Sequence, residues 1–291
     1  MPHINALWRL AHGQVFTPPL GVMGIVNVTP DSFYDGGTHN TAAQALAHAS
    51  RLVAEGAHIL DLGAESSRPG AVPLAAEEEC ARLLPVLFGI RRAHPAALVS
   101  VDTYHAETAA RLLATGNVHI LNDISACAWE PALRDVVAQY KPGYVLMHAQ
   151  GKPQTMQAKP AYDNVVDAVT AFFEEGIASL TKAGLPEDRI ILDPGIGFGK
   201  KAQHNMALLR ACGLLQRRFN RPVLMGLSMK SLFGDVLSLP VAQRGQATQI
   251  ATALLAAEGV RVHRVHDVAA TVQTLRFVHA WQNAQEALCS F

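Results

Sequence analysis

Residues 21–37 read GVMGIVNVTPDSFYDGG. The stretch opens as an apolar, β-branched run from Val22 to Val28 and changes character at Asn27. A run of this kind that passes into Asn-x-Thr-Pro-Asp-Ser reads as a buried strand entering a polar loop. Pro30 has no N–H for a ladder and pushes Thr29 into extended geometry, so the strand stops there. Gly36 and Gly37 let the loop hinge. Asn27, Thr29, Asp31 and Ser32 supply donors and acceptors, and Phe33 one aromatic ring. That make-up suits a loop folding over a polar ligand. A solvated surface loop fits the composition about as well. What decides is whether other strands end the same way.

They do. His58–Gly63 ends on Asp61, Leu98–Asp102 on Asp102, and His119–Asp123 on Asn122 and Asp123. Tyr144–His148 ends on Met147 and His148, and Ile190–Pro194 on Asp193. Pro222–Ser228 ends near Lys230 and Ser231, and Arg261–Asp267 carries Arg264 and His266. Between them lie helical patterns over 41–57, 75–94, 105–115, 131–141, 163–182, 205–217 and 241–258, with a last one over 268–285. Strict strand–helix alternation predicts a parallel sheet with helices outside. Eight such units in about 250 residues fit an α/β chain closed into a (β/α)8 TIM barrel. An open doubly wound sheet is the alternative. Residues 1–20 are expected to form a short N-terminal extension capping the barrel, and residues 21–291 a single barrel domain.

Composition narrows the function. Lys+Arg and Asp+Glu number 24 each, so no basic excess exists to hold a nucleic-acid backbone. Apolar residues make up 49% and charged ones 16%, which suits an enzyme with a large core. No apolar run approaches the ~20 residues that span a bilayer. Asn5, Arg9 and His12 interrupt any secretory-type stretch near the start, so a cytoplasmic protein is expected. Cys80, Cys127, Cys212 and Cys289 are scattered without paired spacing, which argues against disulfides and a zinc site.

In a parallel barrel all strand C-termini face one rim, where such enzymes keep their sites. One Asp there reads as a helix N-cap, whereas a polar residue on every strand argues for a site. Asp102, Asn122 and Asp193 can accept from a donor-rich ligand edge. Arg68, Lys230, Arg264 and His266 can donate to a phosphate or carboxylate. Arg264 and His266 share a face by the two-residue period, with His263 pointing the other way, so HRVH makes a weak zinc motif.

These stretches come in a telling order. Residues 21–37, DLGAESSRPG at 61–70, SVDT at 100–103, LNDI at 121–124, LMH at 146–148, DPGIGFGK at 193–200, GLSMKS at 226–231 and RVHDV at 264–268 resemble the motif series of the bacterial dihydropteroate synthase family. The resemblance runs over nearly the whole chain. It implies a homodimeric, Mg²⁺-requiring barrel enzyme of folate synthesis and a target of sulfonamides. The implied reaction joins 4-aminobenzoate to 6-hydroxymethyl-7,8-dihydropterin diphosphate, giving 7,8-dihydropteroate and pyrophosphate. By the same resemblance Asp102, Asn122, Met147, Asp193, Lys230 and Arg264 hold the pterin. Asn27, Arg68, Arg264 and His266 hold the diphosphate, with Asn27 also on the metal. Ser67, Phe198, Lys230 and Ser231 frame the aminobenzoate. Asp102, Asp193, Lys230 and Arg68 carry the chemistry, an SN1-like substitution in which cations draw off pyrophosphate and acids steady the pterin methylene cation. The chain departs from the family at Met229, where Arg is usual, and at Tyr34, Ala64 and Ser67, where Ser, Gly and Thr are usual. Met229 is expected to face away from the substrate. Two other readings share the pocket: a non-catalytic pterin-binding paralogue and a folate-dependent corrinoid methyltransferase. The latter has no use for Arg68 or a Thr-Pro-Asp-Ser-Phe loop.

Overall fold

The computed structural model describes residues 7–17, 20–29, 38–65, 74–152 and 155–288. A short antiparallel hairpin, β1 (Trp8–Arg9) with β2 (Val15–Phe16), precedes the barrel. The barrel strands are β3 (Gly21–Asn27), β4 (Ile59–Gly63), β5 (Leu98–Asp102), β6 (Ile120–Asp123), β7 (Gly143–Met147), β8 (Ile190–Asp193), β9 (Leu224–Met225) and β10 (Val262–Val265). All pair in parallel, in the order β8-β7-β6-β5-β4-β3-β10-β9, and a parallel bridge from Leu192 to Val223 joins β8 to β9. The ring is the expected (β/α)8 barrel. Its helices are α1 (Thr38–Ala54), α2 (Ala76–Ala93), α3 (Ala106–Ala114), α4 (Leu133–Tyr140), α5 (Val165–Ala183), α6 (Ala202–Phe219), α7 (Leu232–Leu237), α8 (Arg244–Ala257) and α9 (Val268–Leu288). None of the described helices is long and apolar enough to cross a membrane.

Helix limits follow local chemistry. At the start of α5 the Asn164 side chain accepts from the Val166 and Asp167 N–H groups at 3.0 and 3.4 Å, satisfying donors the helix cannot. Gly184 ends α5 in the left-handed region. Two elements differ from the sequence reading. The seventh strand is two residues long, Pro222 and Val223 before it meeting β8 through one hydrogen bond and one bridge. After it comes α7, a single short helix before α8.

Alternation along each strand separates two cores. Outward residues such as Val26, Leu62, Val101, Leu121 and Leu146 pack with Leu52, Leu83, Leu112 and Phe173 of the surrounding helices. Inward residues at the N-terminal ends form a second cluster with one member per strand: Met23, Ile59, Leu98, Ile120, Val145, Ile191, Leu224 and Val262. Trp8, Leu10 and Phe16 of the hairpin segment belong to that same cluster. Each side chain so buried contributes roughly 1.5–3 kcal/mol. The fit is tight at Gly143, where a Cβ would lie 2.5 Å from the Leu10 side chain. The Trp8 indole N–H donates to the Arg189 carbonyl at 2.8 Å, and Arg189 donates to the Leu10 carbonyl at 2.7 Å, which pins the hairpin under the barrel. This floor leaves only the opposite end open for a ligand.

Candidate active site

Two residues beyond each floor position the same strands carry Ile25, Asp61, Ser100, Asn122, Met147, Asp193, Gly226 and Arg264. Period two keeps these on the inner face, one layer closer to the strand C-termini. Asp102, two residues beyond Ser100, adds a further acid above them.

Arg264 sits at the centre of this layer. Its Nε donates to Asp61 Oδ2 at 2.6 Å and its Nη2 to Asp102 Oδ2 at 2.7 Å, so β10 is tied across the barrel to β4 and β5. The Asn122 amide donates to the same Asp61 oxygen at 3.1 Å. Burial works against the guanidinium charge, but Asp61 and Asp102 hold its pKa above the ordinary value. Burial pushes the Asp102 carboxyl up to about 7; Arg264 opposes that rise and Asp61 adds to it. Asp193 is raised as well, first by burial, although its Oδ1 accepts the Gly195 N–H at 2.7 Å. Lys230 is lowered to about 8 by burial and by Arg264, with Asp193 and Asp102 pulling the other way. Its Nζ stands 4.2 Å from the centre of the Phe198 ring, a cation–π contact. Phe198 packs with Ile124, Met147 and Met156, beside Tyr104 and Trp129.

The mouth therefore holds Asp102, Asn122, Asp193, Met147, Phe198, Lys230 and Arg264 together. Asn27 ends β3 with its side chain exposed. His266 lies exposed beyond β10, its Nδ1 2.8 Å from Ser228 Oγ, and Ser231 lies exposed at the start of α7. Ser67 and Arg68 lie outside the described residues. His148 turns away from the mouth, because Met147 takes the inward position. Its ring meets Phe172 of α5 edge-on at 4.9 Å, and burial lowers its pKa to about 3. Met229 has φ of 61°; its N–H donates to Thr248 Oγ1 at 3.3 Å and its carbonyl accepts from Arg244 at 3.2 Å, which ties this turn to α8.

Asp61 is the residue to which the sequence reading gave no role. It is fully buried, it orients both Arg264 and Asn122, and its Oδ1 has no partner; Ser100 Oγ has none either. Buried polar atoms left open normally await a water or ligand. Parity would have found Asp61, since it follows Ile59 by two. Among the described residues no three His, Cys, Asp or Glu side chains converge on a metal position.

Residues 23–266 match the family described as pterin binding enzyme. The dihydropteroate synthase of Escherichia coli (strain K12) is 41% identical over 265 residues, which cover 91% of this chain and 93% of that protein. The chain belongs to the dihydropteroate synthases of the pterin-binding enzyme family. Solved structures of that family superpose over nearly the full length. Yersinia pestis dihydropteroate synthase in complex with a sulfonamide drug gives a TM-score of 0.87 at 38% identity, covering 94% of this chain and 98% of that one. Xanthomonas albilineans dihydropteroate synthase with 4-aminobenzoic acid gives 0.86 at 40% identity, covering 96% and 99%. The function of the chain is accordingly that of a dihydropteroate synthase, a transferase of folate synthesis.

Proposed function

We propose that the polar layer grips the pterin ring of 6-hydroxymethyl-7,8-dihydropterin diphosphate while 4-aminobenzoate enters from the Phe198–Lys230 side. The observation that carries this reading is the set of acceptors and cations gathered in one layer directly above a dry floor. A pterin presents an N–H₂/N–H edge. Asp193 as a carboxylate accepts two such bonds, and Asn122 and Asp102 cover neighbouring positions. Each charge-assisted bond contributes roughly 1.5–3 kcal/mol. Lys230 meets the acceptors of the opposite ring edge, Met147 packs on the ring face, and Arg264 lies between ring and phosphate.

The aromatic amine is neutral at pH 7 and needs no strong base. The difficult step is departure of pyrophosphate, which leaves positive charge on the pterin methylene. Asp102 and Asp193 stabilise that charge as it develops, which favours an SN1-like substitution. His266, Asn27, Arg264 and Arg68 take the diphosphate. Ser231, Ser67 and Lys230 orient the aminobenzoate, with Ser231 toward its carboxylate. Asn27, whose side chain is exposed at the end of β3, would hold Mg²⁺, which would supply charge neutralisation to the diphosphate leaving group. A cytoplasmic location goes with the reading, since both substrates are charged and do not cross a bilayer unaided.

The α8 pair Ile250 and Leu254 and the α9 pair Phe277 and Trp281 are each spaced one turn apart and are 53–73% exposed. A second copy of the chain covering this face makes the protein a homodimer.

A turnover assay with both substrates, following pyrophosphate release with Mg²⁺ and with chelator, tests the reading. Mg²⁺-dependent formation of dihydropteroate is expected. Pterin binding without turnover would favour the non-catalytic paralogue.

A further inference from the structure

Lys200 is a buried cation that the chemistry above does not use. It is 3% exposed, and its Nζ contacts the carbonyl oxygens of Gly195 at 2.9 Å, Phe198 at 3.0 Å and His148 at 3.2 Å, and His148 Nδ1 at 2.9 Å. Three carbonyls that converge in a dry place repel one another unless a donor sits between them. The convergence is forced by close approach of two backbones. Gly195 and Gly199 both have φ in the left-handed region, and a Cβ there would lie 1.9 Å from the His148 carbonyl and 2.5 Å from that of Gln150. The loop after β8 is thus pressed onto the segment after β7. Neutral His148 offers Nδ1 as an acceptor, so every group facing the ammonium accepts hydrogen bonds, four acceptors sharing its three N–H donors. Burial lowers the Lys200 pKa to about 7, with Asp193 raising it and Lys230 lowering it.

We propose that Lys200 is a positioning residue for aminobenzoate: by gathering the carbonyls of His148, Gly195 and Phe198 it sets where the Phe198 ring stands under Lys230. Within the loop the Phe198 N–H donates to the Gly195 carbonyl at 3.1 Å, which ties it to a residue that Lys200 also holds. The Gly197 N–H donates to Asn205 Oδ1 at 2.9 Å, and Tyr162 OH donates to the Gly199 carbonyl at 3.0 Å. Among the described residues Lys200 is the donor to the carbonyl of Phe198, the residue that bears the ring. Removing its charge lets the three carbonyls spread and moves the ring. The pterin acceptors Asp102 and Asn122, on β5 and β6, lie away from this loop, and Asp193 on β8 is held to it by the Gly195 N–H rather than by Lys200. The inference rests on the assignment of Phe198 to the aminobenzoate site.

The test is steady-state kinetics and pterin titration on Lys200→Met, which keeps the length and loses the donors. The Michaelis constant for aminobenzoate is expected to rise about tenfold, with kcat and pterin affinity within about twofold. Lys200→Ala is measured in parallel with added propylammonium, which is expected to lower that constant again, whereas tetramethylammonium, lacking donors, has no effect. An unchanged Michaelis constant, an equal loss of pterin affinity, or variants that are unfolded would overturn the proposal. Phe198→Ala separates the two levels. If it leaves aminobenzoate binding unaltered, the assignment of Phe198 is wrong. If it weakens binding while the Lys200 variants do not, only the role of Lys200 is wrong.

Discussion

The floor and the mouth of this barrel are built by the same strands, two residues apart, and they are opposites. On β8 the floor residue is Ile191 and the mouth residue Asp193; on β4 they are Ile59 and Asp61; on β10, Val262 and Arg264. The floor is apolar throughout its described residues and closes on the hairpin residues Trp8, Leu10 and Phe16. The mouth gathers charges that satisfy one another only in part, as the open Asp61 Oδ1 and the displaced pKa values of Asp102 and Lys230 show. The floor contributes apolar burial, whereas the mouth adds ion pairs that hold its own charges and leaves acceptors open for the proposed ligand. The buried acids of the mouth are tolerated because the rigid floor and the Arg264 ion pairs hold them in place.

The largest effect should come from carrying mouth chemistry down into the floor. Ile191→Asp places an unpaired carboxylate among aliphatic side chains, and a loss of about 5 kcal/mol or more is expected, read as loss of folded protein in a denaturant titration. Next is Asp61→Ala, which leaves Arg264 and Asn122 without their common acceptor. Breaking a buried pair from one side should destabilise by about 3–5 kcal/mol in the same titration. If Asp61→Ala matched wild type in that titration, Asp61 would not be the acceptor that anchors the mouth layer. Third, Asp193→Asn turns an acceptor oxygen into a donor facing a donor edge. Pterin affinity should fall about a hundredfold, near 3 kcal/mol, by calorimetry, while the unfolding midpoint holds.

The smallest effect is a pH dependence confined to the mouth. On the proposed reading Asp102 accepts from the pterin as a carboxylate, and burial pushes that carboxyl up to about 7. Affinity should therefore weaken about tenfold as pH falls from about 8 to about 6, because the proton that binds Asp102 competes with the ligand. Above about 8 Lys230 loses its proton and affinity should fall again, giving a bell. Unfolding free energy measured in an Ile191→Val variant, altered only in the floor, should shift without changing this profile.

Much of this was legible in the chain because both signals are periodic. Eight apolar runs each followed by helical spacing leave few architectures, and the polar residue at each strand end marks the rim. What escaped lay where one residue's role depends on a distant partner. Asp61 alone reads as an acid at the end of a strand; only Arg264, far along the chain, makes it the anchor of the layer. In the sequence Lys200 is only the last residue of DPGIGFGK; its buried position comes from the carbonyls of Gly195 and His148, which lie far apart in the chain. His148 looks like its neighbours at other strand ends, but Met147 holds the inward position and parity sends the imidazole outward. The six-residue α7 is too short for a helical period to show, and β9 pairs over two residues only.

The claim that the layer above the floor is the pterin site is tested most directly by a crystal structure of the protein soaked with 6-hydroxymethylpterin. Density is expected within the barrel mouth, with the amino edge of the ring in hydrogen-bond contact with Asp193 and Asn122 and the methylene directed toward Arg264 and His266. Density for the ring outside the mouth, or inside it with that edge turned away from Asp193, would contradict the account.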